Sequence, residues 1–372
     1  MTNSPSLTPL AAALPATVPF VGPEAQERQR GTAFAARLGA NENNFGPSPQ
    51  AIAAMQAAVS GGWKYPDPEM HDLRTVIAAH HGCDAAHIMP GEGIDGLLGV
   101  ICRLLIGPGD HVVTSAGAYP TFNFHVAGFG GTLHPVPYTG DYEDPARLIA
   151  KARETGAKLI YIANPDNPMG SHHGAETIAR MVDNVPPGAL LLLDEAYIDL
   201  APPGTSPALD PTDPRVIRMR TFSKAYGLAG LRVGYAIGAA PLIDAFHKVR
   251  NHYGLSRIAQ AGAIAALADR DWMAHVQAYV SAARITIGKI ALAHGLTPLP
   301  SATNFVTIDC GRDGAFARAV LHGLLDQGIF VRMPFVAPQN RCIRVSCGTP
   351  ADLGAFARAL PLALAQANLT NL

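Results

Sequence analysis

Hydrophobic and polar positions divide the chain into a short arm and two longer parts. Residues 1–45 form a polar arm that several prolines interrupt, and short apolar runs then alternate with segments of helical spacing. The predicted strands are His111–Thr114, Lys158–Ala163, Leu190–Leu193 and Val216–Phe222, and predicted helices include Pro49–Val59, Pro145–Thr155 and Ala175–Asn184. Because nearly continuous apolar strands alternate with helices, the pattern predicts an α/β fold with a mainly parallel sheet covered on both faces.

The pattern changes after about Leu255, where longer helices precede the next strands. The predicted elements are two alanine-rich helices and three strands, namely Ile258–Ala268, Trp272–Ala293, Asn304–Asp309, Ile329–Arg332 and Cys342–Ser346. This predicts a smaller α+β domain with the N-terminal arm packed against it. The domain boundaries we predict are 1–45 for the arm as part of the small domain, 46–260 for the large domain and 261–372 for the small C-terminal domain.

Composition narrows the classes of protein that fit. The 372 residues include 28 basic and 29 acidic side chains, and the chain is 48% hydrophobic and 15% charged. Such a chain buries a large core, which argues against disorder, and it lacks the positive charge of a nucleic-acid-binding protein. No apolar run approaches the length of a membrane span, and the N-terminus lacks the features of a signal peptide, so we expect a cytoplasmic protein.

Cysteines and histidines give no reason to expect a disulfide framework or a metal site. The five cysteines form no Cys-x-x-Cys pair, and the odd number fits a reducing compartment. The fourteen histidines include two adjacent doublets but no His-Glu-x-x-His motif. We therefore predict no bound metal.

Polar groups follow the predicted strands, at the edge where open α/β sheets bind ligands. Tyr119 follows the first strand, Asn167 the second, Asp194 and Tyr197 the third, and Ser223 with Lys224 the fourth. An aromatic ring, an amide, a carboxylate, a phenol and an amine are the groups needed to hold a flat, cationic, phosphorylated heteroaromatic aldehyde.

Lys224 and Asp194 carry most of this hypothesis. Of six lysines, only Lys224 follows a buried-looking strand and lies among small residues, where desolvation would lower its pKa and free a nucleophilic amine. The alternative is an ordinary surface lysine. Asp194 follows four leucines, and a buried carboxylate needs a cation, either a protonated pyridine nitrogen or a core arginine. At roughly 4 Å and an effective dielectric near 20, the attraction to a pyridinium is about 4 kcal/mol.

A phosphate-binding loop is predicted at Gly91–Gly96, which opens a segment of helical spacing. Glycines at a helix N-terminus expose backbone N–H groups to an anion. The segment matches the Gly-x-Gly-x-x-Gly dinucleotide pattern, but the preceding run His87–Met89 is a poor strand and no acidic residue ends a second strand about 20 residues later. A phosphomonoester is the better fit, with Arg232 as a charged clamp.

Several of these segments together resemble the fold-type-I pyridoxal-phosphate aminotransferases, and most closely the histidinol-phosphate aminotransferase family. The resemblance extends from Leu38-Gly39-Ala40-Asn41-Glu42-Asn43 to Ile343-Arg344-Val345-Ser346. Its most specific segments are Asn164-Pro165-Asp166-Asn167-Pro168, Asp194-Glu195-Ala196-Tyr197, and Thr221–Ala225 continuing through Gly230-Leu231-Arg232. The resemblance implies an aspartate-aminotransferase-like fold whose large domain binds pyridoxal 5'-phosphate.

The same resemblance implies a role for each matching residue. Lys224 would bond the cofactor aldehyde and move protons, Asp194 would pair with the ring nitrogen, and Tyr197 with Asn167 would bind the ring oxygen. Tyr119 would stack on the ring. The implied phosphate ligands are Gly93, Ile94, Asp95, Ser223 and Arg232, with Tyr65 from the second subunit of a homodimer. The implied substrate-binding residues are Arg344, Arg332, Asn41 and Phe20.

The chain departs from the family pattern at three positions, which leaves its substrate open. Met169 replaces a usual threonine, Gly96 a common acidic residue, and Phe20 a tyrosine that would contact the substrate phosphate. Histidinol phosphate with 2-oxoglutarate leads as the substrate pair, ahead of aromatic or other amino acids. A decarboxylase similar to threonine-phosphate decarboxylase and a non-enzymatic effector-sensing module are the further alternatives, and the chain has no basic helix-turn-helix extension that would favour the latter.

Overall fold

The computed structural model describes residues 5–15 and 21–370 of the chain. The α-helices are α1 Pro9–Ala13, α2 Pro23–Arg30, α3 Pro49–Val59, α4 His71–His81, α5 Gly93–Leu105, α6 Thr121–Gly128, α7 Pro145–Thr155, α8 Ala175–Asp183, α9 Ala240–Phe246, α10 Arg257–Ala268, α11 Arg270–Ala293, α12 Gly314–Asp326 and α13 Pro350–Thr370. The strands are β1 Ala36–Arg37, β2 Ile88–Gly91, β3 His111–Ser115, β4 Thr132–Val136, β5 Leu159–Ala163, β6 Leu190–Asp194, β7 Val216–Thr221, β8 Gly234–Ile237, β9 Thr297–Pro298, β10 Phe305–Asp309, β11 Ile329–Phe330 and β12 Cys342–Ser346.

The central sheet has seven strands in the order β2-β8-β7-β6-β5-β3-β4. Strands β3 to β7 pair in parallel, and β8 runs antiparallel to both of its neighbours. The mainly parallel α/β sheet predicted from the sequence is therefore confirmed. Parallel pairing brings the carboxyl ends of β3, β5, β6 and β7 to one edge, which is where the polar groups of the sequence lie.

Alternate residues of the central strands enter two separate cores. Leu159, Tyr161 and Ala163 of β5 belong to the larger core, whereas Ile160 and Ile162 belong to the core formed with α7 and α8. This alternation follows from the period of two along a strand, and covering both faces explains why the strands are apolar throughout.

The C-terminal part contains a second, antiparallel sheet in the order β12-β10-β9. Helices α11 and α12 pack against this sheet, and α13 packs against both of these helices and against β1 and β11. The arm joins this part because β1 pairs in parallel with β11. In the described part of the arm, α1 and α2 both begin at a proline, which suits the first turn of a helix. The positions of the domain boundaries stay a prediction.

One expectation from the sequence was wrong. The run before the glycine loop is a strand, β2, and all four of its residues are buried. Pro90 and Gly91 disfavour a strand interior, but β2 lies at the edge of the sheet, where a missing N–H is tolerated. In the described residues, no helix has both the length and the apolar character needed to cross a membrane.

Candidate active site

A cavity of about 360 Å³ opens at the carboxyl ends of the central strands. Twelve of the residues predicted for the site contribute to its wall, namely Asn41, Ile94, Asp95, Tyr119, Asn167, Asp194, Tyr197, Ser223, Lys224, Arg232, Arg332 and Arg344. Three do not. Gly93 lies behind Arg232, Tyr65 lies elsewhere on the surface, and Phe20 lies outside the described residues.

Lys224 follows β7 and is half-buried in the cavity wall. Its Nζ donates a hydrogen bond to the backbone carbonyl of Asn41 at 3.1 Å and lies 5.7 Å from the centre of the Tyr197 ring. Burial, followed by the positive charge of Arg344, lowers the pKa of the Lys224 amine to about 8. Roughly a tenth of this amine is therefore uncharged at pH 7, far more than for an ordinary lysine, and a nucleophile or a general base needs this neutral form.

Asp194 ends β6 and is 6% exposed. Its Oδ1 accepts a hydrogen bond from the backbone N–H of Ala196 at 2.9 Å, and its Oδ2 accepts one from the hydroxyl of Tyr161 at 2.7 Å. Burial raises the pKa of the Asp194 carboxyl, and the two hydrogen bonds oppose that rise. The arrangement presents a buried carboxylate to the cavity, suited to a cationic group of a ligand.

Tyr197 is held from the loop that precedes the large domain. Its hydroxyl accepts a hydrogen bond from the Asn41 side-chain amide at 3.0 Å, and its ring meets Phe305 edge-on at 5.5 Å. The Oδ1 of Asn41 in turn accepts from the hydroxyl of Ser346 at 2.9 Å. Both ends of the Asn41 side chain are thus engaged with protein groups, and Asn41 links β12, Tyr197 and Lys224.

Arg344 enters the cavity from β12 of the smaller sheet. Its guanidinium donates to the side-chain oxygen of Asn167 and to the carbonyl of Gly39 at 3.0 Å, and it lies 5.2 Å from the Phe305 ring. Its Nε is buried and has no hydrogen-bond partner among the described residues. Arg332 pairs with Arg344 through the backbone, so two guanidinium groups are neighbours in the wall. Burial lowers the pKa of both, which favours an anionic ligand beside them.

The residues predicted to bind a phosphate meet at the start of α5. The Nη1 of Arg232 donates to the hydroxyl of Ser223 at 3.2 Å, next to Ile94 and Asp95 in the cavity wall. Gly93 begins α5 with φ of +73°, and a Cβ built there would lie 2.5 Å from Nη2 of Arg232. Glycine therefore allows the guanidinium to pack against the first turn, where N–H groups without helical partners point outward.

The remaining predicted residues differ in their surroundings. Tyr119 is 36% exposed and contributes its ring to the cavity wall. The Asp95 carboxylate, instead of turning toward the arginine, pairs with His125 at 2.8 Å. Tyr65 is 78% exposed and packs at a tilt against Tyr253, with 4.9 Å between ring centres. A role for Tyr65 in a site therefore requires a second subunit.

Sequence reasoning missed several parts of the wall. Tyr161 lies within a strand instead of after one. The only sequence feature that could have identified it is a tyrosine among aliphatic residues, on the same face of the sheet as Asp194. The missed residues from outside the predicted large domain are Gly22, Pro23, Gly39, Ala40, Met333, Pro334 and Phe335. They carry no reactive group, and the fold alone brings them to the cavity. Within the described residues, no three or more His, Cys, Asp or Glu side chains are grouped to hold a metal ion.

Comparison with known proteins gives a consistent result. The family model for aminotransferase class I and II matches residues 36–360. Histidinol-phosphate aminotransferase 1 of Mesorhizobium japonicum is 35% identical over 330 residues, covering 87% of this chain and 89% of that protein. The histidinol-phosphate aminotransferase of Moorella thermoacetica is 32% identical over 341 residues, covering 91% of this chain and 87% of that protein.

Solved structures agree with the sequence comparison. The crystal structure of histidinol-phosphate aminotransferase from Sinorhizobium meliloti in complex with pyridoxal-5'-phosphate superimposes with a TM-score of 0.93 and is 52% identical, covering 96% of this chain and 97% of that one. Aspartate aminotransferase from Thermus thermophilus with maleate has a TM-score of 0.78 at 20% identity, covering 96% of this chain and 100% of that one, which shows the shared fold. With the lysine, carboxylate and arginines described above in one cavity, the chain belongs to the class I and II aminotransferase family.

Proposed function

We propose that this protein uses pyridoxal 5'-phosphate to transfer an amino group from L-histidinol phosphate to 2-oxoglutarate. The observation that carries the proposal is the shared cavity, in which the Lys224 amine and the Asp194 carboxylate lie in the same wall as the Arg232 and Ser223 pair. The amine suits an aldehyde, the carboxylate suits a protonated pyridine nitrogen, and the arginine with the serine suits a phosphate. Pyridoxal phosphate carries all three of these groups in one small molecule.

The residues present fit this cofactor. Arg232, Ser223 and the first turn of α5 would hold the phosphate, because the glycine at position 93 leaves the guanidinium in place. Asp194 would bind the ring nitrogen through its carboxylate, whose oxygens already accept hydrogen bonds from Tyr161 and from the backbone of Ala196. The implied contacts of Tyr119 with the ring face and of Asn167 and Tyr197 with the ring oxygen are consistent with their positions in the wall.

When bound, pyridoxal phosphate supplies an aldehyde that accepts the amino group and a protonated ring that withdraws electrons. The protein supplies the proton transfers and the orientation. The Lys224 amine, with a pKa of about 8, both holds and releases a proton at neutral pH. The Asn41 carbonyl fixes the position of Nζ, and the hydroxyl of Tyr197 lies on the other side of the same asparagine.

The two neighbouring arginines support an anionic substrate. Arg344 offers a planar guanidinium whose Nε has no partner among the described residues, and such a group binds carboxylate or phosphate oxygens in pairs. Histidinol phosphate brings a phosphate and 2-oxoglutarate brings carboxylates, so the same arginines would serve both halves of the reaction in turn. The named relatives of the chain support this choice of donor.

A half-reaction screen tests the substrate. The cofactor-loaded protein is mixed separately with histidinol phosphate, phenylalanine, tyrosine and glutamate, and the loss of the visible cofactor band is followed. We expect histidinol phosphate and glutamate to react fastest, with no reaction for Lys224→Ala under the same conditions. Faster reaction with phenylalanine or tyrosine would instead indicate an aromatic aminotransferase, and release of carbon dioxide without a 2-oxo acid would indicate a decarboxylase.

We also propose that the protein acts as a homodimer in which Tyr65 completes the partner's site. Tyr65 and its neighbour Tyr253 are both exposed, and Tyr65 lies outside the cavity of its own chain. Mixing Lys224→Ala subunits with Tyr65→Ala subunits tests this, because a mixed dimer regains one intact site. We expect about a quarter of wild-type activity after subunit exchange. No recovery in confirmed mixed dimers would exclude a shared site. The cytoplasmic location stays a prediction from the sequence.

A further inference from the structure

Tyr161 is a fully buried tyrosine whose hydroxyl forms a hydrogen bond with Asp194, the carboxylate in the cavity wall. It lies in β5, has no solvent exposure, and donates to Oδ2 of Asp194 at 2.7 Å. Its ring stacks on Phe122 with 4.8 Å between centres and 17° between planes. The hydroxyl is therefore held at one position by the packing of its ring.

The register of the sheet explains why these two side chains meet. In the parallel pair β5–β6, Tyr161 lies opposite Leu192, and Ala163 lies opposite Asp194. Tyr161 and Ala163 are on the same face, so the phenol reaches diagonally along the sheet to the carboxylate. The small side chain of Ala163, directly opposite Asp194, leaves the space of the cavity open beside it.

We propose that Tyr161 is a positioning residue that keeps Asp194 ionised opposite the ring nitrogen of the cofactor; the inference rests on the proposed function. A buried carboxylate facing a protonated ring has two possible states, the ion pair and the neutral pair in which the proton has moved to oxygen. Burial favours the neutral pair, and hydrogen bonds donated to the carboxylate favour the ion pair. Tyr161 donates one of the two hydrogen bonds that Asp194 accepts from protein groups in the described structure.

Tyr161→Phe removes the hydroxyl and keeps the ring that stacks on Phe122. A hydrogen bond to a charged group is expected to change affinity by roughly tenfold or more. The binding probes are pyridoxal phosphate and its deaza analogue, in which C–H replaces the ring nitrogen. Because the analogue cannot form the ion pair, Tyr161→Phe should weaken binding of pyridoxal phosphate about tenfold relative to the analogue. The dissociation constants of both are measured by titrating the cofactor-free protein.

Tyr235→Phe is a matched control. Tyr235 is also buried in the central sheet, at 1% exposure, and its hydroxyl bonds to His81 at 3.0 Å instead of to a cavity residue. Loss of a buried hydroxyl there should leave the ratio of the two dissociation constants within about twofold of wild type. A general loss of stability would lower both affinities in either variant and leave the ratio unchanged.

A pH titration of the bound cofactor gives a second readout. The pH range over which the visible band of the bound cofactor changes should differ between Tyr161→Phe and wild type. The reason is that Asp194 loses the hydrogen bond from Tyr161 that stabilises its charge, which changes how tightly the proton on the ring nitrogen is held. An unchanged affinity ratio and an unchanged titration, in a variant that still binds pyridoxal phosphate, would overturn the role of Tyr161. Failure of the wild-type protein to bind pyridoxal phosphate would instead overturn the proposed function.

Discussion

Replacing Asp194 by asparagine tests the electrostatic part of the site. The change keeps the shape of the side chain and its bond with the Ala196 N–H but removes the charge. At about 4 Å and an effective dielectric near 20, the lost attraction to a ring nitrogen is about 4 kcal/mol, which corresponds to about three pKa units on that nitrogen. Because a protonated ring is what withdraws electrons, we expect the half-reaction rate to fall roughly 100- to 1000-fold.

The assay for Asp194→Asn is a stopped-flow half-reaction at saturating amino donor, with Asp199→Asn as the control. Asp199 lies in the same segment but outside the cavity wall. Replacing it by asparagine should leave the half-reaction rate within about threefold of wild type. A rate for Asp194→Asn within threefold of wild type would refute the reasoning.

Stability measurements separate this effect from misfolding. The pKa of Asp194 is raised in the folded protein, so its charge costs stability above the folded pKa and costs nothing below the unfolded pKa. We expect cofactor-free Asp194→Asn to be no less stable than wild type in urea at pH 8, with the difference vanishing in acid as the carboxyl becomes protonated. A large loss of stability at pH 8 would show that the variant is merely damaged.

Three further predictions concern the anion sites and the amine. Arg344→Lys loses the planar donor that reaches both a side chain and a carbonyl, and we expect steady-state kcat/KM to fall about 10- to 100-fold; an unchanged value would mean that substrate binds elsewhere. Gly93→Ala places a Cβ against Arg232 and should weaken cofactor binding at least tenfold by titration, whereas Gly82→Ala, at a similar φ with no atom within 4 Å, should cost about 1–2 kcal/mol of unfolding free energy and leave binding unchanged. The rate of cofactor uptake should rise with pH and level off above about pH 8, because only the neutral Lys224 amine reacts; a rate that falls over this range would contradict the pKa.

The sequence allowed the strands of the large domain to be predicted because both of their faces are buried. Their runs are long and apolar, as in Leu190–Leu193, so their positions differ from the structure by only a residue or two. Shorter strands were missed for physical reasons. Gly234–Ile237 is brief and contains glycine, and Ile88–Gly91 contains proline and glycine that only an edge position tolerates. In the arm, Pro23 begins a helix instead of interrupting one.

Residues of the site could be predicted where their chemistry is tied to a strand end. Asp194 and Lys224 directly follow apolar strands, and parallel pairing is enough to bring them to one edge. Tyr161 depends on the register of β5 against β6, which a single sequence does not reveal. Asn41 is predicted from the sequence to bind substrate, and this stays a prediction; the structure adds that its Nδ2 and Oδ1 atoms bond to Tyr197 and Ser346.

The covalent link between the cofactor and the protein tests the central claim most directly. The protein loaded with pyridoxal phosphate is reduced with borohydride, digested and mapped by mass spectrometry. The account predicts the mass of a reduced pyridoxyl phosphate group on the peptide that contains Lys224 and on none of the other five lysines. A label on a different lysine, or none on a protein that binds the cofactor, would contradict it.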